Sequence, residues 1–230
     1  MKHAFIGVDV GTSSARAGVF DEAGTLLATA RTPITVWHEA GGVVEQSSSD
    51  IWAACAASVR AAMAQAAIPA SAVTGVGFDA TCSLVALDAA GDPLTVSASG
   101  DSRRNVIVWM DHRAIAEARL VNETRDEVLR YVGGSISPEM EIPKLLWLQR
   151  HMPQTFGSAG YFFDLADYLS FRATGSTVRS ICTVGCKWNY LAHEQRWSNS
   201  YFERLGLGEL AADGHAKIGN GIVAPGTPLG

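Results

Sequence analysis

The sequence predicts an α/β fold in which a sheet packs against helices. Three observations predict it. Short apolar runs at 5–10, 15–20 and 26–31 are joined by tight polar turns, the pattern of an antiparallel meander. An alanine-rich segment at 51–66 carries Ile51, Cys55, Val59 and Met63 four residues apart, the stripe of a helix lying on a sheet. A further strand-like run at 73–78 follows, so strand and helix patterns alternate along the chain.

Composition narrows the class. The chain of 230 residues is 47% hydrophobic and 18% charged, which suits a sizeable core and not a disordered chain. A net charge of −5 argues against nucleic acid or an acidic membrane surface as partner. No apolar run reaches the roughly 18 residues of a membrane span, and the N-terminus enters a strand without a signal-peptide pattern. Cys55, Cys82, Cys182 and Cys186 are too few and too dispersed for a disulfide framework. The Cys182–Cys186 spacing lacks the second ligand pair of a zinc site. A reduced, cytoplasmic protein is expected.

The first element, 5–10, is interrupted near its end by Asp9, and Gly11-Thr12-Ser13-Ser14 turns the chain into the second. Such a turn offers backbone N–H groups, hydroxyls and one carboxylate to the same point. That suits a phosphate with bound Mg²⁺: amides and hydroxyls hold the anion, and Asp9 holds the cation or its waters. Arg16 adds a fixed positive charge. The same residues would equally make a β-hairpin whose buried acid is satisfied by turn amides. No Gly-Lys-Ser/Thr segment of the P-loop kind is present.

The later elements follow in order. Residues 37–46 read as a loop, and Ser47-Ser48-Ser49-Asp50 offers caps for the helix at 51–66. The strand at 73–78, the turn Asp79-Ala80-Thr81-Cys82 and a partner strand at 83–87 echo the first strand–turn–strand unit, and the two turns could face one cleft. After a polar loop at 97–105, residues 106–109 read as a short strand. Asp111 reads as the cap of a helix reaching about Asn122, and 126–131 as helical up to Gly133-Gly134. Helices are expected at 143–151 and 164–173, the latter ended by Gly175; 178–190 is ambiguous, and Gly206 and Gly208 break 203–212. Residues 218–230, rich in Gly and Pro, read as a connector.

Several of these segments resemble one family. Gly7-Val8-Asp9-Val10-Gly11-Thr12-Ser13-Ser14-Ala15-Arg16 is similar to the first phosphate motif of the FGGY carbohydrate kinases, within the sugar kinase, Hsp70 and actin superfamily. Trp109-Met110-Asp111-His112-Arg113 resembles their Trp-x-Asp-x-Arg segment in its ribulokinase-like form. Pro143-Lys144-Leu145-Leu146-Trp147-Leu148 resembles their Lys-Leu-Leu-Trp-Leu helix, and Asp164 to Leu169 their Asp-Tyr-Leu segment. Cys182-Thr183-Val184-Gly185-Cys186-Lys187-Trp188 looks most like the pentulose kinases that act on ribulose. Each is weak alone; together, in this order, they cover essentially the whole chain.

The resemblance implies a ribonuclease-H-like domain over 1–217: a mixed five-stranded sheet, three antiparallel strands then two parallel, flanked by helices, with an extra layer from 95–200 over the sugar side. It implies ATP- and Mg²⁺-dependent phosphorylation of a ketopentose, most like D-ribulose. Asp9 would hold Mg²⁺ through water; Gly11 would admit the phosphates; Thr12, Ser13 and Ser14 would bind them, Thr12 and Ser13 donating to the transferred or β-phosphate. Arg16 would stabilise equatorial phosphoryl oxygens. Thr81, Cys82 and Ser83 would face the sugar, with Asp111, His112 and Lys187; for Asp111 a helix cap, and for Cys82 and His112 plain packing, serve as well. Asp167 reads as a cap or hydrogen-bond hub. The family's catalytic base, an aspartate, and its adenine site lie in a second, C-terminal domain. The chain stops before either, so it is expected to be inactive alone. The alternative is a lone domain that binds sugar or phosphate, or acts as an interaction module. Homodimerisation is left open.

Overall fold

A computed structural model describes residues 3–230; residues 1 and 2 of the expected domain lie outside the described residues. The opening meander forms as its alternation demands. β1 (Ala4–Val10), β2 (Ser14–Phe20) and β3 (Leu26–Pro33) pair antiparallel. Ala4, Ile6, Val8 and Val10 are buried on one face with Ala15, Ala17 and Val19.

The helix α1 (Ser48–Gln65) covers that face. Ser47 caps it, its side chain accepting from Asp50 N. Ile51, Ala54, Cys55, Ser58 and Ala62 are its buried residues, while Val59 and Met63 are partly buried against the same core. Small residues let the helix approach closely: Ser58 Oγ donates to the carbonyl of Ala15 at 3.1 Å. The chain then returns as β6 (Val73–Ala80), parallel to β1, giving the order β3-β2-β1-β6.

The strand expected to fold back on 73–78 goes elsewhere. β7 (Leu84–Leu87) pairs antiparallel with β8 (Val106–Ile107) and β9 (Tyr161–Asp164). Its composition explains why. Leu84 and Ala86 enter one core and Val85 and Leu87 another, so both faces need cover. The mixed sheet therefore holds four strands, three antiparallel and one parallel, where five were expected; the α/β class stands.

Residues 37–46, expected as a loop, form most of a hairpin of β4 (Val36–Glu39) and β5 (Val43–Gln46). With β7, β8 and β9 it makes a second, five-stranded sheet, β4-β5-β8-β7-β9. This sheet is the wall between the two cores. Ile107 and Phe162 lie in one, Val106 and Phe163 in the other.

The layer expected from 95–200 forms the larger core, with α2 (Ile115–Glu123), α3 (Glu141–His151) and α4 (Pro153–Ser158). α2 starts later than expected, and its N-cap is Ala114, not Asp111. The 3₁₀ turn Glu127–Val132 ends at Gly133, whose φ is 82°. α5 (Leu165–Thr174) is capped by Asp164 and ends at Gly175. The ambiguous stretch resolves into β10 (Arg179–Ser180) and α6 (Ile181–Lys187); α7 (Asn199–Arg204) follows. Within the expected connector, Ile218 is buried and β11 (Ile222–Val223) pairs parallel with β10, so that segment begins docked. Among the described residues no helix is long and apolar enough to cross a membrane.

Candidate functional site

Parallel pairing of β1 and β6 sets Asp9 opposite Asp79 and Val10 opposite Ala80, so the two strands end level. The next ladder bond, Thr81 N to the carbonyl of Val10 at 2.9 Å, ties the second turn to the first. Trp109 clamps both. Its backbone N–H donates to Ser83 Oγ at 3.1 Å, and its indole N–H to Thr12 Oγ1 at 3.1 Å. Gln46 Nε2 donates to the carbonyl of Thr12 at 2.7 Å. The Thr12 hydroxyl thus accepts from Trp109 and keeps its own proton to donate.

Asp9 and Arg16 face each other across β1 and β2 and form an ion pair of 2.7 Å, each side chain about half exposed at 51%. Gly11 N donates to the carbonyl of Ser14 at 3.0 Å, closing the turn. A Cβ on Gly11 would sit 3.1 Å from Arg16 Nη2, so glycine lets the guanidinium lie against the turn. Ser13 is exposed, whereas Ser14 is buried at the start of β2. Asp79 is exposed beside Asp9, with Oδ1 accepting from Ala80 N. Two neighbouring, solvent-accessible carboxylates are the donor set that a hydrated Mg²⁺ would take, one or two carboxylates plus phosphate oxygens.

At the second turn, Thr81 and Cys82 are partly buried and Ser83 is fully buried. Burial pushes the Cys82 thiol up to about 12, with Asp164 adding to the shift, so it is a neutral thiol and not a nucleophile. Lys187 ends α6, partly buried, with no hydrogen bond or ion pair among the described residues. His112 is about half exposed, 3.4 Å from Glu139.

Asp111 is placed differently. It is fully buried, Oδ1 accepting from Arg113 N and Nε, each at 2.9 Å, and Oδ2 from Val44 N at 2.6 Å and Arg113 Nη2 at 2.8 Å. Arg113 also pairs with buried Glu45 at 2.7 Å and lies over the ring of Trp147. Asp111 therefore braces β5 against the segment after β8 and presents no free oxygen. Asp167 is a hub, accepting from Ser180 N and Thr183 Oγ1. Sequence reasoning assigned no role to the side chains of Trp109, Gln46 and Asp79. Asp79 left a signal, as an acid opening the second turn just as Asp9 precedes the first, and Trp109 opened the Trp-x-Asp-x-Arg segment; Gln46 left none.

Two level turns at one sheet end, one with an acid and an arginine and the other with small polar residues, define a domain of the sugar-kinase kind. The chain belongs to the FGGY family of carbohydrate kinases: the pattern of the family's N-terminal domain matches residues 4–211. It is 48% identical over 227 residues to a human FGGY carbohydrate kinase domain-containing protein, covering 98% of this chain and 41% of that protein. It is 39% identical over 225 residues to a D-ribulokinase of Saccharomyces cerevisiae, covering 95% of this chain and 32% of the relative. A crystal structure of a xyloylose kinase from Brucella ovis superposes with a TM-score of 0.80 at 25% identity, over 96% of this chain and 42% of that one. The fold is thus the ribonuclease-H-like fold of the sugar kinases, and the chain spans less than half the length of these relatives.

Proposed function

We propose that this chain supplies the phosphate turn and much of the sugar site of an ATP- and Mg²⁺-dependent kinase that phosphorylates a ketopentose, most like D-ribulose. The observation that carries the reading is the clamp: Trp109 and the Thr81–Val10 bond hold the two turns side by side, where a phosphoryl donor on one could meet a hydroxyl on the other. The likeness to a D-ribulokinase supports the choice of sugar.

In this reading Asp9, with Asp79 nearby, would hold Mg²⁺, which would supply positive charge beside the phosphoryl group. Gly11 N–H is engaged within the turn, so Thr12 and Ser13 supply the hydroxyl donors. The half-exposed pair with Asp9 leaves Arg16 free to turn to the phosphoryl oxygens, whose charge its guanidinium would stabilise. Lys187 and the Thr81–Ser83 turn hold the sugar, with His112 at the rim; Asp111 acts by bracing. The proton of the attacking hydroxyl goes to a base in a C-terminal kinase domain, which the greater length of the relatives accommodates. The four free cysteines fit a reducing, cytoplasmic setting.

The test is a panel of sugars offered with ATP and Mg²⁺ to the full-length form. D-ribulose should release ADP fastest among the ketopentoses. A full-length protein that binds sugar but never releases ADP would favour a binding module instead.

A further inference from the structure

The polar turn after β1 is tied down by its carbonyls. Those of Thr12, Ser13 and Ser14 accept from Gln46 Nε2 at 2.7 Å, Ile34 N at 3.1 Å and Gly11 N at 3.0 Å. The backbone N–H groups of Thr12 and Ser13, in contrast, meet no acceptor among the described residues. A trans peptide sets its C=O and N–H on opposite sides. Drawing the Thr12 carbonyl toward Gln46 therefore turns the Ser13 N–H away from Gln46, and Ser13 is exposed. Successive free N–H groups in a turn make an anion-binding concavity.

Of the three donors, Ile34 and Gly11 use the main chain, whereas Gln46 uses a side chain. Gln46 ends β5, is fully buried and precedes the Ser47 cap of α1. Glu45, on the other face of the strand, is held by Arg113 and Arg104, each at 2.7 Å, and Val44 N donates to Asp111. The second sheet thus fixes where the Gln46 amide reaches. A carbonyl only accepts, so Nε2 must face Thr12, which leaves Gln46 Oε1 buried with no partner. An apolar side chain would line this wall without that cost. The amide makes sense through what it does to the turn.

We infer that Gln46 is a positioning residue for phosphate: by holding the Thr12 carbonyl, it presents the Ser13 N–H to a phosphoryl oxygen of the nucleotide. This rests on the phosphate-turn reading above. Gln46 itself touches no nucleotide. Without it the Thr12–Ser13 peptide loses its anchor and the donor its direction, while the Thr12 hydroxyl stays clamped by Trp109.

The test is calorimetric titration of the full-length wild type, Gln46→Leu and Gln46→Glu with three probes: the non-hydrolysable adenylyl imidodiphosphate with Mg²⁺, AMP, and D-ribulose. Thermal melts check folding. Gln46→Leu should bind the triphosphate analogue about 10-fold or more weakly, the size of a hydrogen bond to a charged group, and bind AMP and D-ribulose like wild type. AMP lacks the phosphates this turn would meet, and a general disturbance of the fold would weaken all three. Gln46→Glu adds a pH signature. Its carboxylate repels the Thr12 carbonyl, whereas its protonated carboxyl donates to it. Affinity for the analogue, relative to wild type, should therefore recover as pH falls in Gln46→Glu and not in Gln46→Leu. Where Gln46→Leu fails to fold, that recovery alone decides. A folded Gln46→Leu that binds the analogue like wild type, or loses equally on all three probes, would overturn the inference, as would a pH-independent Gln46→Glu. A wild type that binds the analogue no better than AMP would bring down the phosphate-turn reading first, and this inference with it.

Discussion

Asp9 and Arg16 neutralise each other at 2.7 Å, yet both are half exposed, so the pair can open at little cost to the fold. If Asp9 holds the metal, Asp9→Asn in the full-length form should lower Mg²⁺-dependent turnover by about 10²-fold, roughly 3 kcal/mol. Arg16→Lys should also lower it, because an ammonium cannot replace a bidentate guanidinium. Steady-state kinetics check both, and unchanged rates would remove this turn from the active site. Lys187→Met should raise KM for the pentulose and spare that for ATP; the reverse pattern would move Lys187 to the nucleotide side. Glu141 makes a pH prediction. Its folded value, about 7, exceeds the ordinary 4.5, so between them the folded chain binds more protons than the unfolded one. Stability from this group is then lost as pH rises from 4.5 to about 7. Glu141→Gln should flatten the fall in Tm over that window. Asp9, Thr12 and Arg16 could be read from sequence because turn chemistry is local. Glu141 could not: an acid at a helix start reads as a favourable dipole contact, and only the tertiary fold buries it. Asp111 was likewise misread as a cap, since the burial that turns it to Arg113 and Val44 comes from β5.

At the scale of elements, what could be read followed one-sided burial. β1, β2 and α1 alternate cleanly because one face meets a core, and the Ser47 cap was visible in sequence. Ser47→Ala should cost about 1 kcal/mol in a denaturation experiment. The hairpin β4–β5 was missed because Glu45 and Gln46, buried at 1% and 0%, are polar. Glu45 is paired with Arg104 and Arg113, nearly sixty residues or more away, and Gln46 is bonded to the carbonyl of Thr12. β7 was recognised as a strand but given the wrong partner, since a run apolar on both faces does not say which sheet it joins. Its two faces predict a double sensitivity. Leu84→Ala and Leu87→Ala should each destabilise by roughly 2–5 kcal/mol, although they point to opposite sides. A one-faced strand would show one large loss and one small.

For the whole molecule, α1 covers one face of the mixed sheet, while the other carries Phe5, 43% exposed, and Leu26, 53% exposed. Gly7 stands in register between Gly18 and Gly77 on that face, leaving it flat. Residues 1–230 alone should therefore self-associate with rising concentration, which light scattering would detect. The central claim is that the two clamped turns are one half of a ketopentose kinase site, completed by a base outside these residues. The direct measurement is D-ribulose-dependent ADP release, with ATP and Mg²⁺, by the full-length form and by folded residues 1–230 side by side. The account predicts turnover by the full-length form and a rate lower by about 10²–10⁴-fold or more for residues 1–230, the loss expected on removing a general base. Turnover by residues 1–230 near the full-length rate would place the base within this chain and contradict it.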